Sequence, residues 1–191
     1  MKNKQVLILS LFAVVSFLMI ATPLALIWKH ERILTEGKIF KFRTAPVDPF
    51  DAFRGRYVAL SLEENKVSMP EGMDLKSNDK ICANVIVGED GFAKISGLSK
   101  YPPIGLSYIK AKVRYIGGKD REVFLDLPID RYYMEEKAAK LAEAIYARHS
   151  TREKRDAYVI VRIQDGNVAI EGLYIGGVPI EEVIKKEKQF R

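Results

Sequence analysis

Cys82 and His149 are the pair that thiolate chemistry would draw on, because a thiol attacks as its anion and needs a base or cation close by to become one. Cys82 lies inside an apolar run of strand character, where a small buried side chain is the ordinary occupant. Catalysis through it is not expected. It is also the only cysteine, which rules out an internal disulfide and a multi-cysteine metal site together. His30 and His149 are the only histidines, so there is no HExxH pattern and no histidine-rich zinc site, and His30 stands at the end of an apolar run.

Asp48 and Asp51, with Pro49 between them, form a carboxylate pair that could bind calcium or move protons. Calcium needs more oxygen ligands than this turn supplies, and an Asx-type turn accounts for the pair. Arg54 and Arg56 beside them could clamp an anion, although pairing with the local aspartates explains them equally well. Tyr57, Tyr132 and Tyr133 could stack on a sugar or base; tyrosines at strand starts more often pack over a core with the hydroxyl at the rim. Arg148, Arg152, Lys154 and Arg155 read as a solvated loop, with lipid headgroup contact as the alternative. There is no Gly-x-Ser-x-Gly, P-loop or dinucleotide fingerprint. No catalytic, cofactor-binding or metal-ligating residue is therefore expected, and the chain is not read as an enzyme.

These residues must be carried by something. Of 191 residues, 48% are hydrophobic, enough for a packed core, and the net charge of +6 is spread among interspersed acidic and basic residues. Without a basic-aromatic motif, nucleic-acid binding is not expected. Residues 5–28 hold no charged side chain and would form a helix of about 36 Å. That exceeds a hydrocarbon core of about 30 Å. The run is longer than a signal-peptide core and lacks an Ala-x-Ala cleavage site, so an uncleaved anchor is expected, with Trp28 at the interface and Pro23 as a kink. The domain plan is an anchor over residues 1–30 and a soluble body over 31–191. Lys2 and Lys4 precede the helix, whereas Lys29, Arg32, Lys38, Lys41 and Arg43 follow it. A count would keep the body in the cytoplasm, yet long domains cross largely regardless of flanking charge.

Beyond the anchor, apolar and polar residues alternate over 38–43, 57–63, 81–87, 92–98, 108–116, 122–127, 158–163 and 168–175, the period of half-buried strands. Asp90-Gly91, Gly117-Gly118 and Asp165-Gly166 mark hairpins, and antiparallel pairing follows. Residues 134–149 instead put Met134, Ala138, Leu141, Ala142 and Ile145 on one face of a helix, with Glu136 four residues ahead of Lys140 on the other. The segment 66–80 reads as a loop. Arg56-Tyr57 recurs as Arg131-Tyr132 (131 − 56 = 75), and Asp90-Gly91 and Gly97-Leu98 recur at the same spacing as Asp165-Gly166 and Gly172-Leu173. Val85 then matches Ile160, Ile86 matches Val161 and Ile95 matches Ile170. The fold class expected is α+β: mainly antiparallel strands in two similar halves, about 32–105 and 106–182, with one amphipathic helix in the second, preceded by a single transmembrane helix.

The run Ala45-Pro46-Val47-Asp48-Pro49-Phe50-Asp51-Ala52-Phe53-Arg54-Gly55-Arg56-Tyr57-Val58-Ala59-Leu60 closely resembles the signature of the GDYXXLXY family of membrane-anchored bacterial proteins. Gly55, Tyr57 and Leu60 match the motif; Arg56 stands where the family name has Asp, and Leu62 where it has the last Tyr. Ile129-Asp130-Arg131-Tyr132-Tyr133 and the closing Asp-Gly hairpin are similar to later family features. The resemblance implies an extracytoplasmic body on one anchor in the cell's inner membrane, accompanying a polytopic membrane protein. It also implies that Asp48, Pro49, Arg54, Gly55, Arg56, Tyr57, Leu60, Arg131 and Tyr132 are structural motif positions. The function expected is thus a non-enzymatic envelope protein, held in the bilayer by residues 5–28, whose body binds or stabilises an integral membrane partner. The alternatives are a ligand-binding or sensory domain and, more remotely, an unrecognised hydrolase.

Overall fold

The computed structural model describes residues 2–46, 57–117, 121–151 and 153–189. Helix α1 (Lys2–Glu36) carries apolar side chains all round rather than on one stripe: Leu9, Phe12 and Phe17 are 70–72% exposed. No part of its most apolar stretch is buried against the rest of the chain, and it is long and apolar enough to cross a membrane. It runs past the expected end of the anchor and stops at Gly37, whose N–H donates to Ile33 O at 2.9 Å. A Cβ on Gly37 would fall on that same carbonyl, so a glycine is needed where the chain turns from helix to strand. Ile33 is buried, Glu36 accepts from Gln164 Nε2 at 3.0 Å, and Arg162 donates to Gly37 O. The last turns of α1 are thereby fastened to the body.

The body consists of β1 (Lys38–Ala45), β2 (Tyr57–Ala59), β3 (Ser61–Leu62), β4 (Lys66–Ser68), β5 (Lys80–Val87), β6 (Ala93–Ser99), β7 (Ser107–Ile116), β8 (Glu122–Asp126), β9 (Arg131–Tyr133), α2 (Glu136–His149), β10 (Ala157–Gln164), β11 (Asn167–Ile175), β12 (Val178–Pro179) and α3 (Ile180–Gln189). One sheet has the order β12-β11-β10-β1-β3, a second the order β4-β8-β7-β5-β6, and β2 pairs with β9 alone. All these ladders are antiparallel. Alternation decides which side chains point inward: Val159, Val161 and Ile163 from β10, Phe40 and Phe42 from β1, and Ile109, Ala111 and Val113 from β7 are buried in one core with Ala142, Ile145 and Tyr146 of α2. A fully buried Ile, Leu or Phe among them contributes about 1.5–3 kcal/mol relative to exposure. Tyr146 also donates its hydroxyl to Ala45 O at 3.0 Å, and burial pushes its pKa up.

The expected α+β class is the observed one, with several corrections. The run 57–63 divides at Leu60, whose N–H donates to Asp130 O at 2.8 Å, so β2 and β3 join different sheets. The segment 66–80 begins with β4, a strand of three residues, too short to reveal a period. The amphipathic helix is present, though its buried face is Ala139, Ala142, Ile145 and Tyr146, with Met134 lying ahead of it. It is not the only amphipathic helix of the body: α3 places Ile180 and Ile184 in the core, with acidic residues in its first turn and lysines in its last. Gly118 lies outside the described residues.

The segments expected to form two halves, about 32–105 and 106–182, interleave rather than stand side by side. In one sheet the hairpin β10–β11 pairs with β1, and in the other the hairpin β5–β6 pairs with β7. Both hairpins carry a bulge, which leaves Ser96 and Glu171 unpaired just ahead of Gly97 and Gly172, at the sequence offset of 75. Ile95 pairs with Val85 and Ile170 with Val161. The match of Val85 to Ile160 and Ile86 to Val161 is therefore off by one residue: Val85 and Val161 are buried, and Ile86 is exposed. Because the first hairpin has the longer turn, an ungapped comparison slips on its first strand.

Candidate functional site

The short ladder of β2 and β9 sets Tyr57 opposite Tyr133, Val58 opposite Tyr132 and Ala59 opposite Arg131. Two runs that resemble one another in sequence thus meet by pairing with each other. Val58 points into the core, which leaves Tyr57 and Ala59 on the outer side of a strand that α2 covers. On that outer side lies a cavity of about 420 Å³, lined by Pro46, Tyr57, Leu60 and Ser61 together with Arg114, Asp126, Asp130 and Arg131.

Its polar groups are largely matched to one another. Arg131 Nε sits 3.2 Å from Asp130, and Arg131 Cζ lies 5.1 Å from the centre of the Tyr57 ring, within cation–π range. Tyr57 and Tyr133 add a tilted ring pair at 5.7 Å. A hydrogen bond with Tyr133, and then the Asp130 charge, push the Arg131 pKa upward, so the guanidinium stays charged. On the opposite wall Arg114 binds Asp126 at 3.1 Å across β7 and β8. Among the described residues the lining includes no His, Cys or Lys. The described lining thus offers a charged guanidinium, an aromatic face and two carboxylates already engaged in ion pairs.

The structure brings Tyr57, Leu60 and Arg131 to this cavity and turns Tyr132 elsewhere. Tyr132 donates to Glu181 at 2.6 Å and so ties β9 to α3, and burial together with that hydrogen bond pushes its pKa up. Asp48, Pro49, Asp51, Arg54, Gly55 and Arg56 lie outside the described residues; Pro46 and Tyr57, on either side of that stretch, both line the cavity. Cys82 is buried, and burial pushes its thiol pKa up with only partial opposition from Lys110, the opposite of an activated nucleophile. His149 is bound to Asp156 at 2.8 Å. The basic stretch that starts in the last turn of α2 is partly paired, Arg148 with Glu187 and Arg155 with Glu63, while Arg152 is outside the described residues. Among the described residues no group of three or more His, Cys, Asp or Glu could hold a metal ion. Sequence reasoning missed Arg114 and Asp126, although the alternation of β7 and β8 puts both on the outward side.

No curated protein and no solved structure matches the chain. A family model described as GDYXXLXY protein matches residues 19–173, which takes in the second half of α1, the sheet β4-β8-β7-β5-β6, the other sheet up to Leu173 of β11, and the whole cavity lining. The chain belongs to the GDYXXLXY family.

Proposed function

We propose that this chain is a single-pass envelope protein, anchored by α1 in the cell's inner membrane, whose extracytoplasmic body docks on a polytopic membrane partner and catalyses no reaction itself. The observation that carries this reading is the meeting of Tyr57 and Arg131 at one cavity furnished with an exposed cation and aromatic rings, the residue types that anchor protein interfaces. The interleaved strand plan and the matching bulges support, as part of the same reading, descent from a duplicated half.

The test is a tagged pull-down from gently solubilised native membranes with mass spectrometry. A polytopic protein in near-stoichiometric amount is expected with the wild-type chain and is lost with Arg131→Glu, a change on a half-exposed side chain that leaves the core alone. A chain that emerges alone overturns the proposal. A reporter fused after Arg191 that works only outside the cytoplasm checks the side of the membrane.

A second reading, a ligand-binding or sensory domain, is favoured by the cavity itself, since about 420 Å³ falls within the span of small-molecule sites. Screening envelope metabolites by thermal shift would then find a compound that raises the wild-type midpoint and leaves Arg131→Ala unmoved.

A further inference from the structure

The register of the second sheet brings like charges together. Lys80 of β5 stands directly opposite Lys112 of β7, and Lys110 stands opposite Cys82. These positions share the outward face of the sheet, because Ile81 and Ala111 between them are buried in the core. The opposed lysines have Cβ atoms about 5 Å apart, and Lys110 follows about 7 Å along β7 from Lys112. Charges of one sign so placed repel, although four-carbon stems give each ammonium the reach to close on a shared anion. Ser99 pairs with Cys82 from the other side, and Lys100 follows it to complete the group. All four lysines line one cavity of about 630 Å³, within the span of small-molecule sites.

The described residues leave this charge unmatched. Asp126 stands across β7 and β8 from Lys112 but is held by Arg114 at 3.1 Å, and Asp130 is held by Arg131 at 3.2 Å. These two are the carboxylates of the cavity, and none of the four lysines forms an ion pair among the described residues. Pro102 and Pro128 add apolar wall beside them. Asp126, Leu127 and Asp130 also line the cavity between β2 and β9, so the two cavities adjoin, yet the cations of that one are arginines with carboxylate partners. Pro46, which lines that neighbour, follows the end of β1 opposite α1, so the lysines lie away from the anchor.

We infer that the lysine cavity is a binding site for a soluble phosphate monoester, its oxygens shared among Lys80, Lys100, Lys110 and Lys112 and its organic part set against Pro102 and Pro128. Such an ester carries close to two negative charges at neutral pH and three acceptor oxygens. Lysine binds phosphate as a point charge, so several ammonium groups on flexible stems can gather around one such group from different strands. The site stands whether or not the cavity between β2 and β9 docks a partner.

The test is calorimetric titration of the full chain, held in discs of phosphatidylcholine, with phenyl phosphate at fixed ionic strength. Saturable binding of one equivalent is expected, tighter than that of inorganic phosphate; equal affinities overturn the part given to the prolines. Lys80→Gln with Lys112→Gln should weaken binding about tenfold or more. Arg131→Ala in the adjoining cavity, and Lys137→Gln with Lys140→Gln on the exposed side of α2, should leave it unchanged. Titration without saturation, or an equal loss in the α2 variant, overturns the site and leaves docking to its own pull-down. Thermal midpoints check the fold: without phosphate the Lys80/Lys112 variant should melt no lower than wild type, and phenyl phosphate should raise the wild-type midpoint alone. A lower midpoint for the variant overturns the repulsion between the two lysines. Phosphatidic acid placed in the discs should not compete; competition assigns the site to a lipid headgroup and overturns the soluble ester.

Discussion

The hairpins β5–β6 and β10–β11 share a bulge and turn by different means. In the second, Gln164 pairs with Asn167, and the two-residue turn has Asp165 at φ 50° and Gly166 at φ 74°, the primed turn that suits twisted strands. In the first, Val87 pairs with Ala93 across a five-residue loop, closed by the Gly88 N–H donating to Phe92 O at 2.8 Å. The same Asp-Gly dipeptide therefore makes two different turns. The neighbours explain why: Gly166 lies against Tyr108 and Lys110 of β7 and accepts a hydrogen bond from the Lys110 N–H, whereas Gly91 has open space around it. One turn is part of the contact between the sheets, and the other is free to lengthen.

If the shared bulge sets equivalent packing, Leu173 and Leu98, each one residue past the bulge glycine, should be equivalent. Both are buried. Leu173→Ala is expected to cost about 3–4 kcal/mol and Leu98→Ala nearly as much, read from chemical denaturation. A cost below about 1 kcal/mol for Leu98→Ala would break the comparison at its root.

The turns should then part company. Gly166→Ala must adopt a left-handed backbone and drive a methyl group into the Tyr108 ring, for a loss of about 2–3 kcal/mol. Gly91→Ala meets the same backbone demand with nothing nearby and should lose about 1 kcal/mol. Equal losses at the two positions would mean that the packing of Gly166 under β7 contributes nothing.

This contrast also marks where sequence reasoning reaches its limit. Alternation of side chains is local, so β1, β5, β7, β10 and β11 could be read from their residues, as could α2 from its 3.6-residue period. Which strands pair is not local: β1 meets β10 across more than a hundred residues, and nothing in Phe40 or Val161 names its partner. Strands of two or three residues, such as β3, β4 and β12, are shorter than the period that would reveal them. The spacing of Ile180, Val183 and Ile184 did carry the signal for α3. At the cavity, the repeated Arg-Tyr run pointed to Tyr57 and Arg131, but their meeting across β2 and β9 belongs to the tertiary pairing alone.

The unpaired bulge residues offer a finer test. Glu171 holds Arg162 at 2.6 Å, and Arg162 also donates to the carbonyl of Gly37 where α1 ends, whereas the Ser96 hydroxyl reaches only Asn84 O at 3.4 Å. Glu171→Ala should cost about 0.5–1 kcal/mol, more at low salt than at high, and Ser96→Ala no more than a few tenths, about 0.3 kcal/mol. A salt-independent loss at Glu171 would point to the strand geometry of the bulge rather than to the ion pair.

The smallest expected difference is in alkaline pH. Only the second hairpin carries tyrosines in its strands, with Tyr158 and Tyr174 stacked at 5.4 Å, and burial, followed by the Glu171 charge, raises the Tyr174 pKa above its ordinary 10.0. A raised pKa means that folding favours the neutral ring. Its contribution is complete below pH 10.0 and is lost as the pH climbs from there through the folded-state value. Amide exchange should therefore quicken in β10–β11 before β5–β6 as the pH passes that point, after correction for the intrinsic rate. Tyr174→Phe should flatten part of the slope without altering the first hairpin. Loss of protection in both hairpins together would mean that the sheets open as one unit, and that the difference between their turns stays local.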